Sequence, residues 1–186
     1  FGASGDNGYG IVGVDWRARL MPVRVLGRCG SGSTVDIVEG MLWAAGGSFV
    51  AVPANPTPAR VVNLSIGGPG ECTTFEQEAF DEALSRGALV VVSAGNDNDN
   101  ADGYSPASCY GVSTVVATDP YGYRASYSNY SAYADISAPG GDSSRYTESD
   151  GVLSTVDTSS SAPSGNYAYD WKNGTSMAAP HVTGVG

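Results

Sequence analysis

The chain has 186 residues, with 19 Asp plus Glu against 9 Lys plus Arg, a formal net charge of -10 and a single histidine, His181. So few cations exclude a nucleic-acid binder held by a basic face, and no run of eighteen apolar residues is present to cross a membrane as a helix. With 41% hydrophobic and 15% charged residues and 26 glycines, the composition is that of one turn-rich globular domain, not a disordered or coiled-coil chain.

Strand and helix signals alternate along the chain, which predicts a parallel sheet covered by helices. Arg19 to Leu26 (RLMPVRVL) reads as a strand that ends in a glycine-rich loop, Gly27 to Ser33. From Thr34, the residues Val35, Val38, Met41, Leu42 and Ala45 recur at helical spacing, and Gly46-Gly47 stops the helix. Residues 48–59 carry three prolines and read as a surface excursion. Arg60 to Ile66 (RVVNLSI) is a short strand, apolar enough to be buried on both faces. Thr74 is placed to cap a second helix with Gln77 closing a capping box, and Gly87 supplies a left-handed stop. Ala88 to Ser93 (ALVVVS) is the most apolar strand of the chain, and it runs into Ala94-Gly95-Asn96. Ligand sites in open parallel sheets lie beyond the carboxyl ends of strands, so the Asn96 loop is a place for chemistry. Shorter strands are expected near 112–118, 125–128, 133–137 and 152–156, followed by a polar loop at 157–166 and a last helix from Thr175.

The ends bear no initiator methionine, leader or stop signal, so the chain is expected to be an internal piece of a longer protein. Cys29, Cys72 and Cys109 are an odd set, and neither a C-x-x-C spacing nor a second histidine predicts a zinc cluster. An acidic chain rich in Tyr, Ser, Asn and Gly, with Lys172 as its one lysine, suggests an exported protein with one bridge; three buried thiols are the equal alternative.

The densest chemical signal is Asn173 to His181 (NGTSMAAPH). A serine in the first turn of a helix, just after a glycine that lets a substrate backbone approach, exposes its hydroxyl and leaves its own N–H unpaired. That N–H, helped by the helix dipole, can hold a developing oxyanion. Alone, Gly-Thr-Ser is more often a plain helix cap. The loop carrying Asn96 changes the reading, because its side-chain amide is placed to reach the same oxyanion.

In chain order, Leu64 to Gly68 (LSIGG), Ser93 to Asn96 (SAGN), Tyr104 to Ser108 (YSPAS), Ser126 to Asn129 (SYSN) and Gly174 to His181 (GTSMAAPH) resemble the subtilisin-like serine proteases. The likeness is close to the proteinase K branch and closer still to secreted bacterial subtilases with a proline-rich insertion, and it covers essentially the whole chain. It implies an α/β fold of three layers, a mostly parallel central sheet with helices on both faces. It also implies that Ser176 is the nucleophile and Asn96 the side-chain oxyanion donor. The backbones of Gly30, Ser31 and Gly32 and of Ser65, Ile66 and Gly67 match the two edges that hold an extended peptide. Ser65 to Gly67 and Ser93, Ala94 and Gly95 would wall the pocket for the residue before the scissile bond, with Tyr104 and Ala107 near its floor. A large apolar side chain is expected there, and Asp97 at the rim would tolerate a basic one.

Members of that family also need an aspartate and a histidine that would lie upstream of Phe1. His181 cannot replace the latter, because five residues along one helix put it roughly 140° around and about 7 Å along from Ser176. The resemblance therefore implies a secreted endopeptidase that is active only in its longer form, acting on protein or peptide substrates and made as a precursor with a propeptide. A catalytically silent binding or inhibitory protein of the same fold is the alternative, disfavoured by the intact Ser176 and Asn96. Calcium is the implied ion, either on the carbonyls of Gly5, Tyr9 and Ile11 with Asn7, or on Asp135 with the carbonyls of Tyr110 and Val112. A Cys29–Cys72 bridge is implied too, with other pairings open.

Overall fold

The computed structural model describes residues 1–159 and 164–186. Its elements, in order, are α1 (Thr34–Ala44), β1 (Val61–Leu64), β2 (Gly68–Pro69), α2 (Thr74–Ser85), β3 (Leu89–Ser93), β4 (Tyr104–Ser105), β5 (Ser113–Thr118), β6 (Ile136–Pro139), β7 (Val152–Asp157), β8 (Tyr167–Lys172) and α3 (Thr175–Thr183). Four parallel strands form the central sheet in the order β1-β3-β5-β6, with Val62 opposite Val90 and Val91 opposite Ser113.

Why β3 is apolar at every turn of its pleat follows from what covers it. Val90 and Val92 face α1 and α2, packing with Val38, Met41, Leu42, Phe80 and Ala83. Val91 faces the other way, with Val115, Ala117, Ala178 and Ala179 of the layer built on α3. A sheet covered on both faces cannot alternate apolar with polar residues. All three valines are fully buried, worth about 2 kcal/mol of transfer free energy apiece.

Both early helices start as local chemistry dictates. Ser33 Oγ accepts the Asp36 N–H at the head of α1. At α2 the cap is Thr73, not Thr74, and Glu76, not Gln77, closes the box. The helix thus begins one residue earlier than the sequence spacing indicated, because glutamate at the third position reaches back to the Thr73 N–H at 2.9 Å.

Other expectations change too. Residues 19–26 form no strand among the described residues, since no neighbouring strand takes up their backbone groups. Residues 125–128 form a turn instead: Ala125 N–H goes to Ala117 O and Asn129 N–H to Gly95 O. The strand expected near 152–156 is β7, but the sequence pattern missed its antiparallel partner β8, Val152 opposite Lys172, and the short β2–β4 ribbon. Part of the polar loop expected over 157–166 lies outside the described residues.

The disulfide is a correction. Cys72 pairs with Cys109, their Cα atoms 5.1 Å apart, and Cys29 is free and exposed. Pairing of Pro69 with Tyr104 in the ribbon draws the two cysteine-bearing loops together, and Cys72 N–H donates to Ser108 Oγ beside the bridge. Cys29 instead sits in the turn after 19–26.

Candidate active site

Three chain segments far apart in sequence meet at the carboxyl end of the sheet. α3 opens at Gly174, whose φ of 151° is one that glycine adopts freely. Ser176 is the second residue of the helix, so its N–H belongs to the first turn, which has no carbonyl partner within the helix. The loop after β3 brings Asn96 alongside. Asn96 Oδ1 accepts both the Thr175 N–H and the Thr175 hydroxyl, each at 2.9 Å, and Gly95 N–H donates to Thr175 Oγ1 at 3.2 Å.

That double acceptance decides which way the Asn96 amide faces. With Oδ1 held by Thr175, Nδ2 is turned outward. A β-carbon placed on Gly174 would lie 3.7 Å from Asn96 Nδ2 and 3.5 Å from Ser176 N. Two N–H donors therefore border one small gap, and glycine leaves it open. A gap of this kind, bordered by fixed dipoles at a helix N-terminus, stabilises an oxygen that gains negative charge.

Behind the gap the loop is braced by Asn129, which is fully buried. Its Oδ1 accepts the N–H groups of Asp97 and Asp99 at 2.8 and 3.1 Å, and its Nδ2 donates to Ala94 O at 3.0 Å. Gly95, at φ 104°, passes so close that a β-carbon there would stand 2.3 Å from Asn129 Nδ2. Sequence reasoning quoted Asn129 within a motif without giving it a task.

Ser176 is half-buried. Its Oγ donates to Ser65 O at 3.2 Å, while Ser65 Oγ donates to Ser176 O at 2.8 Å. His181 is turned onto its own helix, Nδ1 lying 2.9 Å from Met177 O. It is not placed to take a proton from Ser176, in keeping with the helical spacing.

A cleft of about 750 Å³ opens from Ser176 and Asn96. The expected Gly30, Ser31, Gly32, Ser65, Ile66, Gly67, Ser93, Gly95 and Tyr104 all line it. Ala94 and Ala107 do not. Ala94 is fully buried, and Ala107 gives its carbonyl to the Thr114 hydroxyl. Glu76, Phe80, Ser105 and Pro106 line the cleft without having been foreseen. A capping-box signature marked this region only as a helix start, so it could not show that Glu76 also reaches the cleft. Burial opposes the Glu76 charge, but hydrogen bonds from Ser105 Oγ, Thr73 Oγ1 and Thr73 N–H outweigh it and hold the carboxyl below its ordinary value. At the rim, burial first and then the Asp97 and Asp99 carboxylates push the Tyr104 phenol up.

Three of the oxygens expected to bind calcium have protein partners. Asn7 Oδ1 accepts the Tyr9 N–H, Asp135 Oδ2 accepts the Thr114 N–H at 2.8 Å, and Tyr110 O accepts from Gln77 Nε2. Among the described residues, no group of three or more Asp, Glu, His or Cys gathers to hold a metal.

The chain is similar to known proteins along its whole length. The model of the Subtilase family matches residues 1–186. The chain belongs to the subtilase family. This subtilase chain is 46% identical over 180 residues to an extracellular protease of Xanthomonas campestris, covering 97% of the chain and 29% of that protein. It is likewise 46% identical over 180 residues to an extracellular basic protease of Dichelobacter nodosus, covering 97% of the chain and 28% of its length. A solved structure described as proteases from Pseudoalteromonas arctica superposes with a TM-score of 0.93 at 50% identity, over 98% of the chain and 53% of that structure. The fold is therefore subtilisin-like. The chain spans under a third of these two curated relatives.

Proposed function

We propose that the longer protein containing this chain is a secreted serine endopeptidase, and that residues 1–186 are part of its catalytic domain. Ser176 Oγ attacks the carbonyl carbon of a peptide bond and gives its proton to a base. The oxyanion is held by Ser176 N–H and Asn96 Nδ2. Collapse expels the amine, which takes up the proton; water then attacks the acyl-enzyme, releasing the new carboxyl group and restoring the serine. The observation that carries this reading is the fixing of Asn96 Oδ1 by Thr175, which leaves Nδ2 and Ser176 N–H bordering one gap.

The base and its orienting acid are proposed to come from outside these residues, because His181 bonds to its own helix. This chain alone is then inactive. Substrate lies as an added strand between Gly30–Gly32 and Ser65–Gly67, with a large apolar side chain entering beside Ser93, Gly95 and Tyr104. Secretion is supported by relatives named as extracellular proteases, and a propeptide is proposed for the precursor. A structural calcium is proposed at Asp135 with the carbonyls of Tyr110 and Val112, or at the Gly5–Ile11 loop through the carbonyls of Gly5, Tyr9 and Ile11 and the Asn7 side chain. Carboxylate and carbonyl oxygens keep lone pairs beyond their present bonds, which suits a hard cation. Chelation is expected to lower the melting temperature of the longer protein; an unchanged value removes the ion from this account.

The test is Asn96→Ala in the longer protein, assayed on a chromogenic peptide. Turnover is expected to fall by two to three orders of magnitude, roughly the range known for such an asparagine in a subtilisin itself. Unchanged turnover, or no hydrolysis even by the unaltered protein, defeats the reading; the latter result supports the silent binding protein.

A further inference from the structure

We infer that Tyr127 is a positioning residue for this reaction, its hydroxyl fixing the turn at Gly174 and, through it, both donors of the oxyanion gap. The inference rests on the peptidase reading proposed above. Tyr127 stands in the 125–130 turn, between two anchored neighbours: Ser126 N–H donates to the buried Asp142 carboxylate at 2.7 Å, and Ser128 is fully buried. Its hydroxyl accepts the Gly174 N–H at 2.8 Å, a donor that Gly140 O shares at 3.1 Å. The same oxygen lies 2.9 Å from Gly140 O and 2.7 Å from Gly141 O, so its one proton is shared between two carbonyls.

This hydroxyl thus ties three backbone groups together at the residue that caps the catalytic helix. Packing leaves little slack around it. A β-carbon on Gly140 would sit 2.4 Å from Ala117 Cβ, 2.8 Å from Gly174 O and 2.9 Å from the Tyr127 hydroxyl. Next to the clasp, Ser143 N–H donates to Asn173 Oδ1, and Asn173 Nδ2 donates to Ser143 Oγ.

The path from the clasp to the chemistry is one residue long. Gly174 precedes Thr175, whose N–H and hydroxyl hold Asn96 Oδ1, and Ser176 follows directly. A shift at Gly174 therefore moves Ser176 N–H and loosens Asn96 at once. Phenylalanine fills the same ring volume yet cannot accept the Gly174 N–H, which then keeps only its longer bond to Gly140 O. Burial, reinforced by the Asp142 charge, pushes the Tyr127 pKa up to about 12, so the group stays a phenol able to donate and accept across neutral and moderately alkaline pH.

The experiment is Tyr127→Phe in the longer protein, with rates on a chromogenic peptide normalised to active Ser176 by fluorophosphonate titration. We expect kcat to fall about 10-fold with KM within twofold, since misplacing a donor costs less than deleting it. In an Asn96→Ala background the same change is expected to cost less, about threefold, because the Asn96 share is already lost while Ser176 N–H is still displaced. Unchanged kcat, a rise in KM alone, or full additivity overturns the inference. If the unaltered protein cuts no peptide, the peptidase reading fails, and amide hydrogen exchange at Gly174 and Ser176 decides the positioning claim. At least about 10-fold faster exchange in Tyr127→Phe at both amides upholds the clasp; equal exchange at either sinks it.

Discussion

The sheet with α3 and the first 33 residues follow opposite logics. In the former, Val90, Val91, Val92, Val115, Ala178 and Ala179 are fully buried, and distant loops lock together through Asn129 and Thr175. In the latter no helix or strand forms, and Phe1, Val12, Val14, Trp16 and Leu20 are exposed. The contrast teaches that the gap bordered by Ser176 N–H and Asn96 Nδ2 is built by the core, whereas the Gly30–Gly32 edge of the cleft follows a segment without helix or strand, tied to that core through Met21 and Val23.

The largest blow to the ordered region is expected from Asn129→Ala. It leaves the Asp97 and Asp99 N–H groups and Ala94 O without their partner, for a loss of about 3–4 kcal/mol in chemical denaturation. A loss under about 1 kcal/mol would mean the loop is not braced there. Cys109→Ser opens the Cys72–Cys109 bridge, which closes a separation of 37 residues, and is expected to cost about 2–4 kcal/mol. Cys29→Ser is expected to change little, so the pair of variants sets the two regions against each other directly. Gly174→Ala strains the backbone at φ 151° and puts a methyl group into the gap, and turnover in the longer protein is expected to drop about 100-fold. Next in size is a pH effect at Glu76. Its carboxyl is depressed in the fold, so its stabilisation is complete above the ordinary glutamate value and is lost as pH falls through the lower folded value. Glu76→Gln, which can still serve a capping box, should therefore approach the parent in melting temperature only in acid; a constant difference down to about pH 2 contradicts the assignment. The smallest effect belongs to the open segment: Val12→Ser, at 59% exposure, is expected to stay within about 0.5 kcal/mol.

Where the sequence spoke clearly, the signal was chemical or doubly buried. ALVVVS announced β3 because a strand covered on both faces must be apolar throughout. GTSMAAPH announced α3 with its serine because helix-start chemistry is local. Residues 19–26 also read as a strand, yet a strand exists only when a neighbour takes its N–H and C=O groups, and pairing is not a property of one segment. β8 escaped notice because Tyr167, Tyr169 and Trp171 alternate with small or charged residues beside a polar loop, and only the β7 partner reveals the ladder. The Cys72–Cys109 bridge was illegible for the same reason: the β2–β4 ribbon that brings the cysteines together has two residues per strand. At the site, Ser176 and Asn96 were legible by type and order, whereas Asn129, Glu76 and Tyr127 act through contacts that span 29 to 47 residues and leave no local pattern.

The measurement that tests the central claim most directly is fluorophosphonate labelling of the longer protein, followed by peptide mass spectrometry. The account predicts a single adduct on Ser176 that disappears in Ser176→Ala and forms more slowly in Asn96→Ala. An adduct on another residue, or labelling that persists in Ser176→Ala, contradicts it.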